Sequence, residues 1–136
     1  MIVVDTNVIA YLFIPGSHSH AAQKLLRTDA DWAAPLLWRS EFRNVLAAYL
    51  RQGDLALEQA FFLVKEAEFL MKDREYAIPS SKVLTLVNDS QCSAYDCEFV
   101  ALAQDLNTKL ITSDRKILKE FPKVAISLEH FAPRRS

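Results

Sequence analysis

The sequence predicts an α/β fold, in which a parallel five-stranded sheet is flanked by helices on both faces. Short apolar runs that suit buried strands alternate along the chain with longer stretches of helical periodicity. Such alternation favours a parallel sheet that is covered on both sides. The composition agrees with this fold class, because 51% of the residues are hydrophobic, which is enough for one sizeable core. A chain of 136 residues is too short for two domains.

The strand candidates are apolar runs bounded by Asp, Pro, Ser or Lys, and they span residues 2–4, 32–34, 76–78, 110–112 and 124–126. The helix candidates are residues 7–13, 18–28, 37–51, 55–72, 81–89, 94–106 and 115–120. We therefore expect a single domain over residues 1–136, of which residues 133–136 form a loose basic tail.

Composition and charge narrow the function classes. Gly16 and Gly53 are the only glycines, which excludes a Gly-rich phosphate loop and a dinucleotide-binding fingerprint. The net charge of -1 neither supports nor excludes a nucleic acid partner. Cys92 and Cys97 form neither a CxxC pair nor a disulfide-rich pattern, which indicates free thiols in a reducing cytosol. No basic leader is present and the longest early apolar run, residues 8–14, is too short for a bilayer, so we expect neither export nor a membrane.

Two of the predicted strands run into an aspartate. IVVD ends at Asp5 and LITSD ends at Asp114. In an open parallel sheet, functional sites form beyond the carboxyl ends of the strands, so both carboxylates should lie at the same edge. Each aspartate, considered alone, also suits the N-cap of the helix that follows it.

Two further acids lie beside apolar helix faces. In SAYDCEFVALAQDL, Asp96 falls within the apolar arc, although Ser93 and Asp96 also have the spacing of a capping box. In LLWRSEFRNVLAAYL, Glu41 lies at the edge of the apolar stripe beside Val45, with no cation three or four residues on. A solvated surface glutamate is the alternative interpretation of Glu41.

These four acids lie on elements that can meet at one end of the sheet. Two carboxylates about 4 Å apart repel by roughly 4 kcal/mol at an effective dielectric of about 20, so such a cluster requires cations. Oxygen ligands without paired histidines favour Mg²⁺ or Mn²⁺ over zinc, and we expect the three histidines at the surface. One or two such ions can activate water for phosphodiester hydrolysis.

On these residues the chain resembles a PIN domain, most closely the VapC-type ribonuclease toxins of toxin–antitoxin pairs. The resemblance is carried by VVDTNVIAYLF, by the acid in SEFRNVLAAYL and by SAYDCEFVALAQDLNTKLITSDRKILKEFP. It implies a metal-dependent endoribonuclease whose catalytic metal ligands are Asp5, Glu41, Asp96 and Asp114. The neighbours that would orient ligands or water by hydrogen bonds are Thr6, Asn7, Thr112 and Ser113. Some PIN nucleases carry another acid after the last aspartate, where this chain has Arg115 and Lys116, so the resemblance leaves one or two ions open.

The resemblance also implies a homodimer, a separately encoded antitoxin and an RNA substrate. Phe62 and Phe69 project from the polar face of the helix predicted at residues 55–72, which suggests a contact with a protein partner, although packing of that helix on two sides within the monomer is an equal alternative. Candidate contacts with the RNA backbone are Arg115, Lys116, Lys119, Arg134 and Arg135.

Two other functions remain open at this stage. One is a phosphatase of the haloacid-dehalogenase type with Asp5 as the nucleophile, although that chemistry usually requires a second aspartate where this chain has Asn7. The other is a non-catalytic module of the same fold that binds nucleic acid or protein.

Overall fold

The computed structural model describes residues 1–132. The tail predicted at residues 133–136, with Arg134 and Arg135, lies outside the described residues. In chain order, the elements are β1 (Ile2–Val4), α1 (Thr6–Phe13), α2 (Ser19–Thr28), β2 (Trp32–Pro35), α3 (Leu37–Gln52), α4 (Leu57–Met71), β3 (Glu75–Tyr76), α5 (Ser80–Asn88), α6 (Ala94–Asp105), β4 (Leu110–Thr112), α7 (Arg115–Glu120), β5 (Ala125–Ser127) and a 3₁₀ helix (Leu128–Phe131).

The strands form one sheet in the order β3-β2-β1-β4-β5, and every pair of neighbours is parallel. The central strand β1 pairs through Val3 with Ala33 on one side and with Leu110 on the other. The predicted fold class, a five-stranded parallel sheet with flanking helices, is confirmed. Because β1 and β4 are adjacent and parallel, the residues that follow them, Asp5 and Asp114, emerge at the same edge.

Helices cover the sheet on both faces. All residues of β2 are buried, and since successive side chains of a strand point to opposite faces, both faces must be covered. The helix α6 packs against β1, β2 and α5 and is buried around most of its circumference. Its buried residues are Cys97, Phe99, Val100, Ala101, Leu102 and Ala103. The helix therefore holds its first turn, with Asp96, firmly against the sheet.

Three strands differ in their bounds from the predicted ones. The strand β2 extends by one residue, to Pro35. The strand β3 comprises Glu75–Tyr76 rather than residues 76–78, because its partner β2 ends at Pro35, opposite Tyr76, where the chain turns toward α3. The strand β5 is displaced by one residue, because Ser127 pairs with Thr112 at the end of β4. The 3₁₀ helix Leu128–Phe131 was not predicted, and it begins where the Ser127 hydroxyl accepts a hydrogen bond from the Glu129 backbone.

The helices α3 and α4 form a pair beside β2. In α3, Trp38, Phe42 and Leu46 are buried as predicted, whereas Val45 and Tyr49 are only half-buried. The helix ends at Gly53, whose positive φ of 78° is a left-handed conformation that glycine adopts at little cost.

The helix α4 exposes large apolar side chains. Phe62 is 61% exposed and Phe69 is 77% exposed, in agreement with their predicted projection, and Phe61, which was not singled out, is equally open. None of the helices in the described part of the chain combines the length and the apolar character needed to cross a bilayer.

Candidate active site

The carboxylate of Asp5 joins three elements. The backbone N–H of Asp5 donates to the Ile111 carbonyl at 3.0 Å, which continues the pairing of β1 with β4. Its Oδ1 accepts from the Thr6 backbone N–H at 2.8 Å, and its Oδ2 accepts from the Thr112 hydroxyl at 2.7 Å. The two interpretations of Asp5 therefore coexist, since the residue is the N-cap of α1 and also lies at the acidic edge.

A similar arrangement holds Asp114. Its Oδ1 accepts from the Ile117 backbone N–H at 3.0 Å, so Asp114 is the N-cap of α7. Its own backbone N–H donates to Thr112 Oγ1 at 3.0 Å. The fully buried Thr112 hydroxyl therefore bonds both to the Asp5 carboxylate and to the Asp114 backbone, and it fixes the spacing of the two acids.

Glu41 reaches the same place from α3. Its Oε1 accepts a hydrogen bond of 2.7 Å from the hydroxyl of Thr6, a residue in the first turn of α1. Glu41 is half-buried, so it is not the solvated surface glutamate that its sequence context left open. The bond points the carboxylate of Glu41 toward the edge of the sheet where Asp5 lies.

Asp96 lies in the first turn of α6. Ser93 is the N-cap of this helix, and its hydroxyl accepts from the Asp96 backbone N–H at 3.1 Å. The carboxylate of Asp96 is half-buried and faces the other acids, so the capping function resides mainly in Ser93.

All four acids line one cavity of about 380 Å³, which we call the acid cavity. Its other lining residues are Thr6, Asn7, Leu37, Ser40, Asn44, Val45 and Tyr95. Sequence reasoning missed Ser40, Asn44 and Tyr95. Ser40 precedes Glu41 directly and Asn44 follows it by three residues, so helical geometry around Glu41 could have identified both.

Burial, together with neighbouring negative charges, raises the pKa of Asp5, Glu41 and Asp96. Burial raises the pKa of Asp5 from 3.8 to about 6, and the charges of Glu41 and Asp96 add to this, against hydrogen bonds from Thr112 and Thr6 that lower it. Burial and the charge of Asp96 also raise the pKa of Glu41. Burial and the charge of Asp114 raise that of Asp96. The cavity thus holds more negative charge than its surroundings compensate, which favours a bound cation.

The donor set of the acid cavity fits a hard divalent cation, because it contains four carboxylates and no His or Cys, and Ser40, Thr6 and Asn44 supply further oxygens. Within residues 1–132, no group of three or more Asp, Glu, His or Cys side chains is already arranged closely enough to enclose a single ion. A cation held by all four acids would therefore draw their carboxylates closer together than they stand here.

The remaining predicted site residues differ in their placement. Asn7 lines the acid cavity, and Lys116 lies close enough to lower the pKa of Asp96. Arg115, Lys116 and Lys119 are exposed, as backbone contacts would require. The Ser113 hydroxyl is buried and has no hydrogen-bond partner among residues 1–132, so its role in orienting a ligand or water stays a prediction. Thr112, by contrast, makes a direct hydrogen bond to the Asp5 carboxylate.

The family model of the PIN domain matches residues 2–125. The chain belongs to the PIN-domain family. Among curated proteins it is 30% identical over 124 residues to Ribonuclease VapC3 of Pyrobaculum aerophilum, a match that covers 89% of this chain and 95% of that protein. The predicted identity as a VapC-type PIN domain is therefore confirmed.

Solved structures show the same PIN fold. PAE2754 from Pyrobaculum aerophilum has a TM-score of 0.75 at 23% identity, over 95% of this chain and 91% of that one. A toxin–antitoxin complex from Klebsiella pneumoniae has a TM-score of 0.70 at 17% identity, over 94% of this chain and 98% of that one.

Proposed function

We propose that this PIN domain is a Mg²⁺- or Mn²⁺-dependent endoribonuclease and the toxin of a toxin–antitoxin pair. The observation that carries the proposal is the convergence of Asp5, Glu41, Asp96 and Asp114 on one cavity at the carboxyl edge of the sheet. The family match and the similarity to Ribonuclease VapC3 support the choice of RNA as substrate.

The four acids would hold the one or two ions, and the threonines would keep the acids in position. Such ions supply an activated water and neutralise the charge of a phosphate. Hydrolysis adds the oxygen of water to phosphorus and breaks the bond to the leaving oxygen of the ribose. Because Thr6 bonds to Glu41 and Thr112 bonds to Asp5, two of the four carboxylates are oriented before any ligand arrives.

Exposed basic residues beside the acid cavity would guide the RNA backbone. The helix α7, which begins directly after Asp114, carries Arg115, Lys116 and Lys119. The positive charge of Lys116 lowers the pKa of Asp96. We add Arg134 and Arg135 to this set on sequence alone. Cations at the rim offset the repulsion between an RNA phosphate and the acids.

We propose that α4 is the surface that contacts a protein partner, which is either the second chain of a homodimer or an antitoxin. Phe61, Phe62 and Phe69 form what we call the α4 aromatic patch, and each is exposed by more than half. Phe61 and Phe69 also line a groove of about 660 Å³ with Arg43, and this groove shares no lining residue with the acid cavity. An exposed aromatic cluster of this kind is typical of a protein contact. The comparison with a toxin–antitoxin complex supports an antitoxin partner.

The compartment is a separate point. Cys92 and Cys97 are buried and free, which supports a place in the reducing cytosol.

The sequence after Asp5, rather than its hydrogen bonds, weighs against the phosphatase alternative. Both oxygens of the Asp5 carboxylate accept a hydrogen bond, one from the Thr6 backbone and one from Thr112. Each oxygen retains a lone pair, so these bonds are compatible both with a metal ligand and with a nucleophile. The position two residues on is Asn7, which lacks the acid that this chemistry usually employs.

The test is cleavage of total RNA by the purified protein with Mg²⁺ or Mn²⁺. We expect fragments from the wild type, none with EDTA, and at least about a hundredfold less cleavage by Asp96→Asn, because lost charge stabilisation is worth several kcal/mol. Asp105→Asn is the matched control, since Asp105 is exposed at the far end of the same helix and does not line the acid cavity. Equal cleavage with EDTA and by Asp96→Asn would refute the metal mechanism. RNA binding without cleavage under any condition would instead favour the non-catalytic module.

A further inference from the structure

A second cavity, of about 300 Å³, opens beside the acid cavity. Asn7 and Val45 line both, so these two side chains form the boundary between the neighbouring cavities. The second cavity lies between α1, the loop that leads into α2, and α3. None of the four acids lines it. We call it the aromatic cavity, because its walls carry Tyr11, His18 and Tyr49.

The rings in the aromatic cavity are arranged for stacking. Tyr11 and His18 lie face to face, with ring centroids 4.3 Å apart and planes at 23°. Tyr49 approaches from α3, and all three side chains are only half-buried, so part of each ring faces the cavity rather than the core. This explains why Tyr49, which sequence periodicity placed in the buried stripe, is incompletely covered.

Polar groups at the junction complete the cavity. The side-chain amide of Asn7 is exposed where the two cavities meet, and among residues 1–132 it makes no side-chain hydrogen bond. An amide can donate and accept at once, which matches the mixed edge of a nucleobase. Aromatic walls with one such group are the recurring means by which proteins hold unpaired bases.

We propose that the aromatic cavity is a nucleobase subsite, which holds one unpaired base of the RNA strand next to the phosphate in the acid cavity. This inference rests on the proposed ribonuclease function and adds to it a place where one base of the RNA is held beside the acid cavity. The base stacks on the exposed faces of His18 and Tyr49, while Asn7 contacts its edge. The walls carry no carboxylate, so the base meets no repulsion there, in contrast to the phosphate.

The test measures stacking in the Asp96→Asn protein, so that the RNA stays intact. A short unpaired RNA carries the fluorescent base 2-aminopurine at one position at a time, because the fluorescence of this base is quenched when it stacks on an aromatic ring. We expect quenching at one position. His18→Ala and Tyr49→Ala should relieve it and weaken binding about tenfold, whereas His18→Phe and Tyr49→Phe should preserve it.

His20→Ala is the matched control, because His20 is exposed on α2 and does not line the cavity. Quenching that is unchanged in both alanine variants, or bound RNA that shows no quenching at any position, overturns the subsite. Because quenching is measured without cleavage, the two proposals fail separately. Quenching with a wild type that cleaves no RNA would overturn the ribonuclease and leave the subsite. Cleavage by the wild type without quenching at any position would leave the ribonuclease and overturn the subsite.

Discussion

The hydroxyl of Thr6 donates a 2.7 Å hydrogen bond to Oε1 of Glu41, across 35 positions of the sequence. Asp5 and Asp114 follow strands, and Asp96 lies in the first turn of a helix capped by Ser93, but Glu41 lies within the long helix α3 and depends on this contact for its orientation. Thr6 is only 4% exposed, so water does not readily take its place. Glu41 is therefore positioned by Thr6, the residue that directly follows Asp5.

Replacing Thr6 by valine should impair the metal site while leaving the fold intact. The substitution keeps the shape of the side chain but removes the donor, so the half-buried Glu41 carboxylate loses its orientation and one hydrogen bond. We expect Mn²⁺ affinity to fall by about 10- to 100-fold, as for other groups that orient metal ligands. Calorimetric titration with Mn²⁺ measures this. Thr6→Ser, which restores the hydroxyl, should recover most of the affinity, and equal affinities for the valine and serine variants would contradict the assigned role.

The buried charge of Asp5 should make metal-free protein less stable as pH rises. Its pKa is raised from 3.8 to about 6, so the folded state binds the proton more tightly than the unfolded state does. The resulting stabilisation is complete below about pH 4 and is lost as pH rises through about 6. In EDTA, Asp5→Asn should therefore exceed the wild type in free energy of unfolding at pH 7.5, by on the order of 1–3 kcal/mol, and the difference should narrow toward pH 4.

Urea unfolding at the two pH values measures this difference. Saturating Mn²⁺ should reverse the order at pH 7.5, because a cation that binds only the folded wild type stabilises it. A difference between the two proteins that is the same at both pH values would show that the charge of Asp5 is not the cause.

The pairing of Glu75 with α3 should be important for stability at neutral pH. Glu75 Oε2 accepts from the buried Trp38 indole at 2.7 Å and from Arg39 Nε at 2.6 Å, which ties α3 to the edge strand β3. The hydrogen bond from Arg39 is the main reason that the pKa of Glu75 is lowered. We expect Glu75→Gln to reduce the free energy of unfolding by about 1–3 kcal/mol at pH 7.

A lowered pKa means that this contribution is present above about pH 4.5 and is lost as pH falls through the pKa of the folded state. The difference between Glu75→Gln and the wild type should therefore shrink in unfolding experiments at pH 3. Glu66→Gln on the exposed face of α4 is the control, with an expected change below about 0.5 kcal/mol.

Removing Phe69 should weaken association without loosening the monomer. The side chain is 77% exposed, so Phe69→Ser removes little packing within the chain. If the α4 aromatic patch is the contact with a protein partner, loss of a central aromatic should weaken self-association by roughly tenfold or more. Analytical ultracentrifugation measures the self-association constant. Leu84→Ser on α5 is the control, since Leu84 is similarly exposed but lies outside the patch, and equal association constants for both variants would exclude the patch as the contact of a homodimer.

Much of the fold follows from local sequence signals. The strands β1 and β4 have the predicted bounds, because each is a buried apolar run that ends at a polar residue. The edge strands were displaced because their limits depend on the partner strand, as Pro35 and Thr112 show. The 3₁₀ helix escaped prediction because four residues carry too little periodicity to identify.

The candidate site was predictable in its acids but not in their connections. Strand ends identified Asp5 and Asp114, and helix geometry identified Asp96. For Glu41, local pattern could not choose between a site and a solvated surface, because the deciding partner, Thr6, is remote in sequence. The aromatic cavity was invisible for the same reason, since Tyr11, His18 and Tyr49 come from three segments that only the fold brings together. The catalytic and binding roles of these residues remain predictions until the variants are measured.

The double role of Asp5 and Asp114 as helix caps bears on how such a protein can lose its activity. Asparagine caps helices about as well as aspartate does, and one nucleotide change converts either codon. If these carboxylates hold the catalytic metal as proposed, a single point mutation at Asp5 or Asp114 would abolish activity while α1 and α7 keep their first turns. Inactive descendants of this protein would then persist as folded chains rather than disappear as misfolded ones, and they would still expose the α4 aromatic patch.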